Sequence, residues 1–118
     1  MKYLCLVYIE EGKLEALSKG EREAMVNEAL EYDDVLRKSG HYVTSNALQS
    51  VLTATTIRLQ NGKVLTTDGP FAETKEQLGG FMLIEASDLN DAIRVASKIP
   101  PVRLGCIEVR PVRALTHT

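Results

Sequence analysis

The chain has 118 residues, 44% of them hydrophobic, with 14 Lys and Arg against 16 Asp and Glu, for a formal charge of −2. That length suits one domain with an adequate core and leaves no room for a second. Without a basic run there is no electrostatic footprint for nucleic acid, and no apolar stretch approaches the roughly 20 residues that span a bilayer.

Lys2 to Ile9 is apolar at almost every position, where a strand with one wet face would alternate. Both faces of this strand therefore need cover. Helices of the same chain supply one side, and a second subunit is the economical source of the other, with the chain's own loops as the rival. The segment resembles a secretion signal only superficially, because its apolar run is short, ends at Glu10-Glu11 and lacks a small-residue cleavage site. A reducing cytoplasm is the expected setting. Cys5 and Cys106 fall in strand-like runs, fit no metal-ligand spacing, and are expected to be small buried hydrophobes.

Ser18-Lys-Gly-Glu21 has the spacing of a capping box and predicts a helix start. Met25, Ala29, Tyr32 and Leu36 then recur on one helical face, Val26 and Leu30 widen the stripe, and Gly40 suits the left-handed residue that ends a helix. A more polar strand over 41–48 follows, at or near an edge. Asn61-Gly62 predicts a two-residue type I′ turn, so 55–67 is a hairpin with Leu59 opposite Val64, Ile57 opposite Thr66 and Gln60 opposite Lys63. After a loop over 68–78, the segment 79–86 is apolar on both faces and should be central. Ser87-Asp88 caps a second helix, whose apolar positions Leu89, Ala92, Ile93, Ala96 and Ile99 follow the 3.6 period, and Pro100-Pro101 stops it. The last strand, 104–110, alternates Cys106, Glu108 and Arg110 against Ile107 and Val109. Residues 113–118 form a frayed tail, which leaves a single domain over 1–112. Without the hairpin the order is βαββαβ, the α+β ferredoxin-like plan of one antiparallel sheet with two helices on one face. The open face again points to a dimer, sheet against sheet.

The densest chemistry lies in Thr67-Asp68-Gly69-Pro70-Phe71-Ala72-Glu73-Thr74-Lys75-Glu76-Gln77-Leu78-Gly79-Gly80-Phe81. Asp68 before Gly-Pro fits two roles: a capped turn, accepting backbone N–H bonds two residues on, or a functional carboxylate that binds a ligand or takes a proton. Glu73 and Glu76, three apart with Lys75 between, share a face if the segment forms a helical turn, and a solvated surface is the plain expectation. A hard-cation site at Asp68, Glu73 and Glu76 has no ligand spacing behind it, so no metal is assigned. Gly79-Gly80 suits a bulge or close packing and matches no nucleotide-binding fingerprint. His41 follows a helix-ending glycine. As an exposed rim residue it would be inert, and as a base it lacks an assignable partner carboxylate. Glu108 and Arg110 on one strand face form a structural pair, and neither cysteine has an activating base nearby.

The run Asp68 to Phe81, preceded by Ala54-Thr-Thr56 and followed by Glu108-Val-Arg-Pro111, resembles the DGPF-type branch of the YCII-related family, and the similarity extends from Met1-Lys-Tyr3 to Pro111. The resemblance implies a bacterial protein with a ferredoxin-like fold that pairs into a dimeric α/β barrel. In some relatives it also implies association with extracytoplasmic-function sigma factors. A histidine near the start of the first helix, proposed with an aspartate as an active site in YciI-type relatives, has no counterpart in the helix over 19–38. Only an acidic role carries over, to Asp68.

Three functions follow. The first is a small-molecule-binding homodimer, cofactor-free, whose pocket is bordered by Asp68, Gly69, Pro70, Phe71, Glu73, Lys75, Gly79 and Gly80. The second is a cofactor-independent enzyme acting on a small carbonyl or lactone compound, with Asp68 as base and His41 assisting. The third is an interaction module serving a sigma factor through protein contacts, without direct binding of nucleic acid.

Overall fold

The computed structural model describes residues 1–116, so the last two residues of the tail predicted over 113–118 lie outside the described part, and 112–116 carry no helix or strand. The elements run β1 (Lys2–Ile9), α1 (Glu11–Ala16), α2 (Lys19–Ser39), β2 (Tyr42–Ala47), β3 (Thr55–Gln60), β4 (Lys63–Asp68), β5 (Gln77–Glu85), α3 (Leu89–Ala96) and β6 (Gly105–Pro111), with short 3₁₀ turns before β3 and β6. Four strands form one antiparallel sheet in the order β2-β5-β1-β6, and β3-β4 stands apart as a two-stranded ribbon. This is the ferredoxin-like plan with an inserted hairpin, as the pattern of elements predicts. Among the described residues no helix is long and apolar enough to cross a membrane.

Local chemistry sets most boundaries. Ser18 accepts from the Glu21 amide while the Glu21 carboxylate accepts from the Ser18 amide, which closes the capping box of α2. Gly40, at φ 81°, ends that helix. Asn61 and Gly62 take φ values of 50° and 76°, and the ribbon register pairs Leu59 with Val64, Ile57 with Thr66 and Gln60 with Lys63. The register of β1 on β5 slips between Val7 and Tyr8, where Gly79 is the residue left over, so one of the two glycines marks a bulge.

The two faces of the sheet differ. Tyr3, Cys5, Val7, Ile9, Met82 and Ile84 are buried against Leu36 of α2, Ala92, Val95 and Ala96 of α3, and Ile99 and Leu104 beyond it. Tyr32 ties the helices together by donating its hydroxyl to the Val95 carbonyl at 2.6 Å. On the opposite face Leu4, Leu6, Tyr8, Phe81 and Leu83 are only half-buried, and the register sets them side by side, Leu4 beside Leu83 and Leu6 beside Phe81. The radius of gyration is 16.3 Å, against about 13 to 14 Å for a compact chain of this length. The ribbon explains the excess, since all its residues but Thr56 are exposed.

Several expectations are corrected. Val26 and Leu30 of α2, and Leu89 and Ile93 of α3, are exposed rather than part of the core. Each helix buries a narrower stripe than its apolar pattern suggests, and Val95 takes the place next to Ala92 and Ala96. Cys106 is exposed, because β6 turns its Cys106, Glu108 and Arg110 side away from the helices. Residues 73–76 make no helical turn, so Glu73 and Glu76 do not share a helical face. Helix α1 was not anticipated; it is six residues long, has no side-chain cap and buries nothing fully.

Candidate functional site

Two groups of polar side chains stand out, at opposite ends of the β2-β5 pair. The first lies along the loop between β4 and β5. Gly69, at φ 104°, turns the chain out of the ribbon. Its amide donates to the Ala54 carbonyl at 2.7 Å, and its own carbonyl accepts from the Thr56 hydroxyl at 2.8 Å. Backbone and Thr56 therefore hold this turn, and the Asp68 carboxylate caps nothing. Among the described residues Asp68, Glu73 and Lys75 make no side-chain hydrogen bond or ion pair and are exposed. Phe71 projects into solvent, while Gly69 and Pro70 are half-buried.

The loop docks at its far end. Gln77 donates to the Ala72 and Thr74 carbonyls, the Thr74 hydroxyl donates to the Glu76 carbonyl, and the Cys106 thiol donates to Glu76 Oε1 at 3.6 Å. The Cys106 thiol is pushed up by partial removal from water first, then by the Glu76 and Glu108 carboxylates beside it. Gly80 is buried in β5, where an added Cβ would sit 3.0 Å from the Asn46 carbonyl. At this end Glu11 also accepts from the Ser50 hydroxyl and the Val51 amide, fixing the start of α1 to the 3₁₀ turn before the ribbon. No cluster of three or more His, Cys, Asp or Glu side chains is gathered among the described residues, so Asp68, Glu73 and Glu76 do not converge.

The second group is centred on His41. Its Nε2 lies 3.0 and 3.2 Å from the two carboxylate oxygens of Asp91, and its Nδ1 lies 2.7 Å from the Ser39 hydroxyl. Asp91 is in the first turn of α3, where its Oδ2 also accepts from the Ser87 amide at 3.0 Å and its Oδ1 pairs with Arg94. The Asp91 carboxyl is held down to about 2, first by the Ser87 N–H, then by the hydrogen bond from His41, with the His41 and Arg94 charges adding to this against partial burial. Exposure rises along the row, from 9% for the Asp91 side chain to 22% for His41 and to an exposed Ser39. A shallow cleft of about 250 Å³ opens beside them.

The structure thus supplies the carboxylate that His41 lacked in sequence, and it is Asp91, 50 residues away. Asp91 and Ser39 were not singled out beforehand. A first-turn acid after a capping aspartate is explained by helix electrostatics alone, and only the tertiary fold reveals its partner. Conversely, His41 and Asp68 are not brought together within one chain. The His41 carbonyl accepts from the Glu85 amide at one end of β5, whereas the loop that follows Asp68 enters β5 at Gln77, the other end. Six residues of strand separate Gly79 from Glu85, about 20 Å.

Comparison with known proteins adds the family. A family model described as the YCII-related domain matches residues 1–116. An uncharacterized protein of Rhizobium meliloti (strain 1021) is 34% identical over 114 residues, covering 95% of this chain and 92% of that one. With a ferredoxin-like sheet, an inserted ribbon and a match that runs from end to end of the described residues, the chain belongs to the YCII-related family.

Proposed function

We propose that the protein is a homodimer that binds a small molecule between its bare sheet face and the loop from Asp68 to Phe81. The observation that carries this is the face turned away from the helices: Leu4, Leu6, Tyr8, Phe81 and Leu83 lie side by side there and are only half-buried among the described residues. Completing the burial of such half-buried side chains is worth about 1 kcal/mol each, roughly half the value for full burial, and contiguous patches of this kind mark interaction surfaces. A second copy supplies a matching face. The half-open loop, with the free Asp68 and Lys75 side chains on it, then provides the few polar groups that orient a ligand beside apolar walls. Catalysis by Asp68 with His41 assisting loses support within one chain, since the carboxylate on His41 is Asp91 and the Asp68 side chain makes no hydrogen bond or ion pair among the described residues. Among the described residues no surface feature favours a sigma factor over a second copy.

Light scattering at micromolar concentration tests the dimer, and Phe81→Glu places a charge at the centre of the patch. The expected result is twice the chain mass for the parent and a single chain mass for Phe81→Glu. A parent that stays monomeric would refute the proposal. Ligand binding is then read as a rise in melting temperature across a panel of small carbonyl and lactone compounds. The rise should shrink on Asp68→Ala.

A further inference from the structure

We propose that Ser39 is a nucleophile, wired through His41 to Asp91, that accepts a small acyl or dialkylphosphoryl group. This site is separate from the loop pocket, at the other end of the sheet, and does not depend on it.

The hydrogen-bond accounting fixes the direction of the wiring. An ionised carboxylate only accepts, and Asp91 takes the Ser87 N–H and Arg94 as well as His41. The imidazole must therefore turn an N–H toward it, from Nε2. In the neutral ring Nδ1 is then left with a lone pair, and the atom facing that lone pair is the Ser39 hydroxyl at 2.7 Å. The rival acceptor for that hydroxyl is the Leu36 carbonyl at 3.1 Å. That oxygen already accepts from the Gly40 and His41 amides, so it is the weaker partner. Nucleophile beside base, and base oriented by a third group, is the arrangement that activates a hydroxyl.

The fold builds the arrangement from both sides. Gly40, in the left-handed region, reverses the chain after the last residue of α2, which brings the Ser39 and His41 side chains together. Helix α3 delivers Asp91 from beneath, mostly buried, while Ser39 remains open to solvent. The cleft at Ser39 is walled by Gly40, Glu85, Ala86 and Ser87, and its 250 Å³ suits a group of a few heavy atoms. Glu85 is ion-paired with the Met1 amino group at 2.9 Å.

In the reaction, Ser39 Oγ bonds to the carbonyl carbon of an ester while its proton passes to His41 Nδ1. The bond from carbon to the alkoxy oxygen breaks, and the departing oxygen takes that proton. Water then repeats the sequence on the acyl-serine, returning acid and free Ser39. With a dialkyl fluorophosphate the Oγ–P bond forms, the P–F bond breaks, and fluoride and a proton leave. The Gly40, His41 and Ser87 amides are all engaged with carbonyls or with Asp91, so none of them is free to hold an oxyanion. A missing donor of that kind costs about 10²–10³ in rate. Acylation should therefore be slow, and a stable adduct is a better readout than ester turnover.

The test is diisopropyl fluorophosphate on the full chain, followed by intact-mass and peptide mass spectrometry. The expected result is one diisopropylphosphoryl group per chain on Ser39, none on Ser39→Ala, and labelling slowed at least about 100-fold in His41→Gln and Asp91→Asn. Melting curves recorded beside each variant show whether it folds, and if Asp91→Asn does not, His41→Gln decides. Absence of an adduct, an adduct on another residue, or labelling of His41→Gln at the parent rate would overturn the assignment. Loss of the dimer with labelling intact would refute the pocket proposal alone.

Discussion

Gly105, the first residue of β6, is where a single added carbon should cost most. A Cβ placed there would lie 2.1 Å from the Tyr8 carbonyl oxygen and 2.9 Å from its carbon. Real Cβ atoms essentially never approach closer than 3.0 Å, so β6 must move by at least 0.9 Å, the difference between 3.0 and 2.1, at the point where Ile9 pairs with Gly105 and Tyr8 with Cys106. The obstacle is backbone in a paired strand and cannot rotate away. At the upper end of overpacking costs, about 3 kcal/mol, Gly105→Ala should lower the melting midpoint by roughly 10 to 20 °C for a domain of this size. Gly79→Ala is the internal control. Its Cβ would meet the Ile9 side chain at 2.9 Å, which is closer to tolerable and can turn, so a loss of about 1 kcal/mol is expected. Thermal melts followed by circular dichroism, with urea midpoints as a second measure, compare the two. Equal losses, or a Gly105→Ala midpoint within a few degrees of the parent, would refute the claim that backbone proximity and not side-chain contact governs this end of the sheet.

Three further outcomes are expected. Asp91 titrates at about 2 in the folded chain against an ordinary value of 3.8, so its contribution is complete above the ordinary value and is lost as pH falls through the folded one; urea midpoints should drop across that acid window, and Asp91→Asn should flatten this part of the profile. Cys106, although exposed, carries a thiol pushed up by partial desolvation and by Glu76 and Glu108, and burial pushes Cys5 up to about 11; both should react slowly with iodoacetamide at neutral pH, and Glu76→Gln should speed Cys106 alone. Ser18→Ala removes one arm of the capping box, costing about 1 kcal/mol, read as a lower melting midpoint that Ser18→Asp largely restores.

The parts of the fold that were legible in the sequence rest on local rules. Ser18 and Glu21 start α2, Gly40 ends it, and Asn61-Gly62 sets a ribbon register that the structure reproduces pair by pair. The apolar runs of β1 and β5 correctly marked the two central strands. Surplus apolar residues misled, since Val26, Leu30, Leu89 and Ile93 keep the helical period yet face outward, and periodicity cannot say how wide a stripe the partner surface accepts. For Cys106 the signal was present and outweighed: its alternation with Glu108 and Arg110 already placed it on the polar side of β6, against the general tendency of cysteine to be buried. The candidate sites were the least legible. The Asp68 loop announced itself through composition, whereas Asp91 gained its meaning only from a histidine brought to it by the tertiary fold.

The strand order also bears on how the chain is made. Of the six strands β1 is made before the others, yet its two neighbours are the last of them to follow: Cys5 pairs with Met82 on one side and with Val109 on the other. At about 5–20 residues per second, the most apolar segment waits roughly 5 to 20 s for its partners. During that interval α2 and the ribbon, whose contacts are local, can form, while the centre of the sheet cannot. Synthesis therefore holds Leu4, Cys5, Leu6 and Val7 exposed until nearly the whole sequence is available. A truncation that removes β6 should yield an aggregating chain in place of a slightly weakened one.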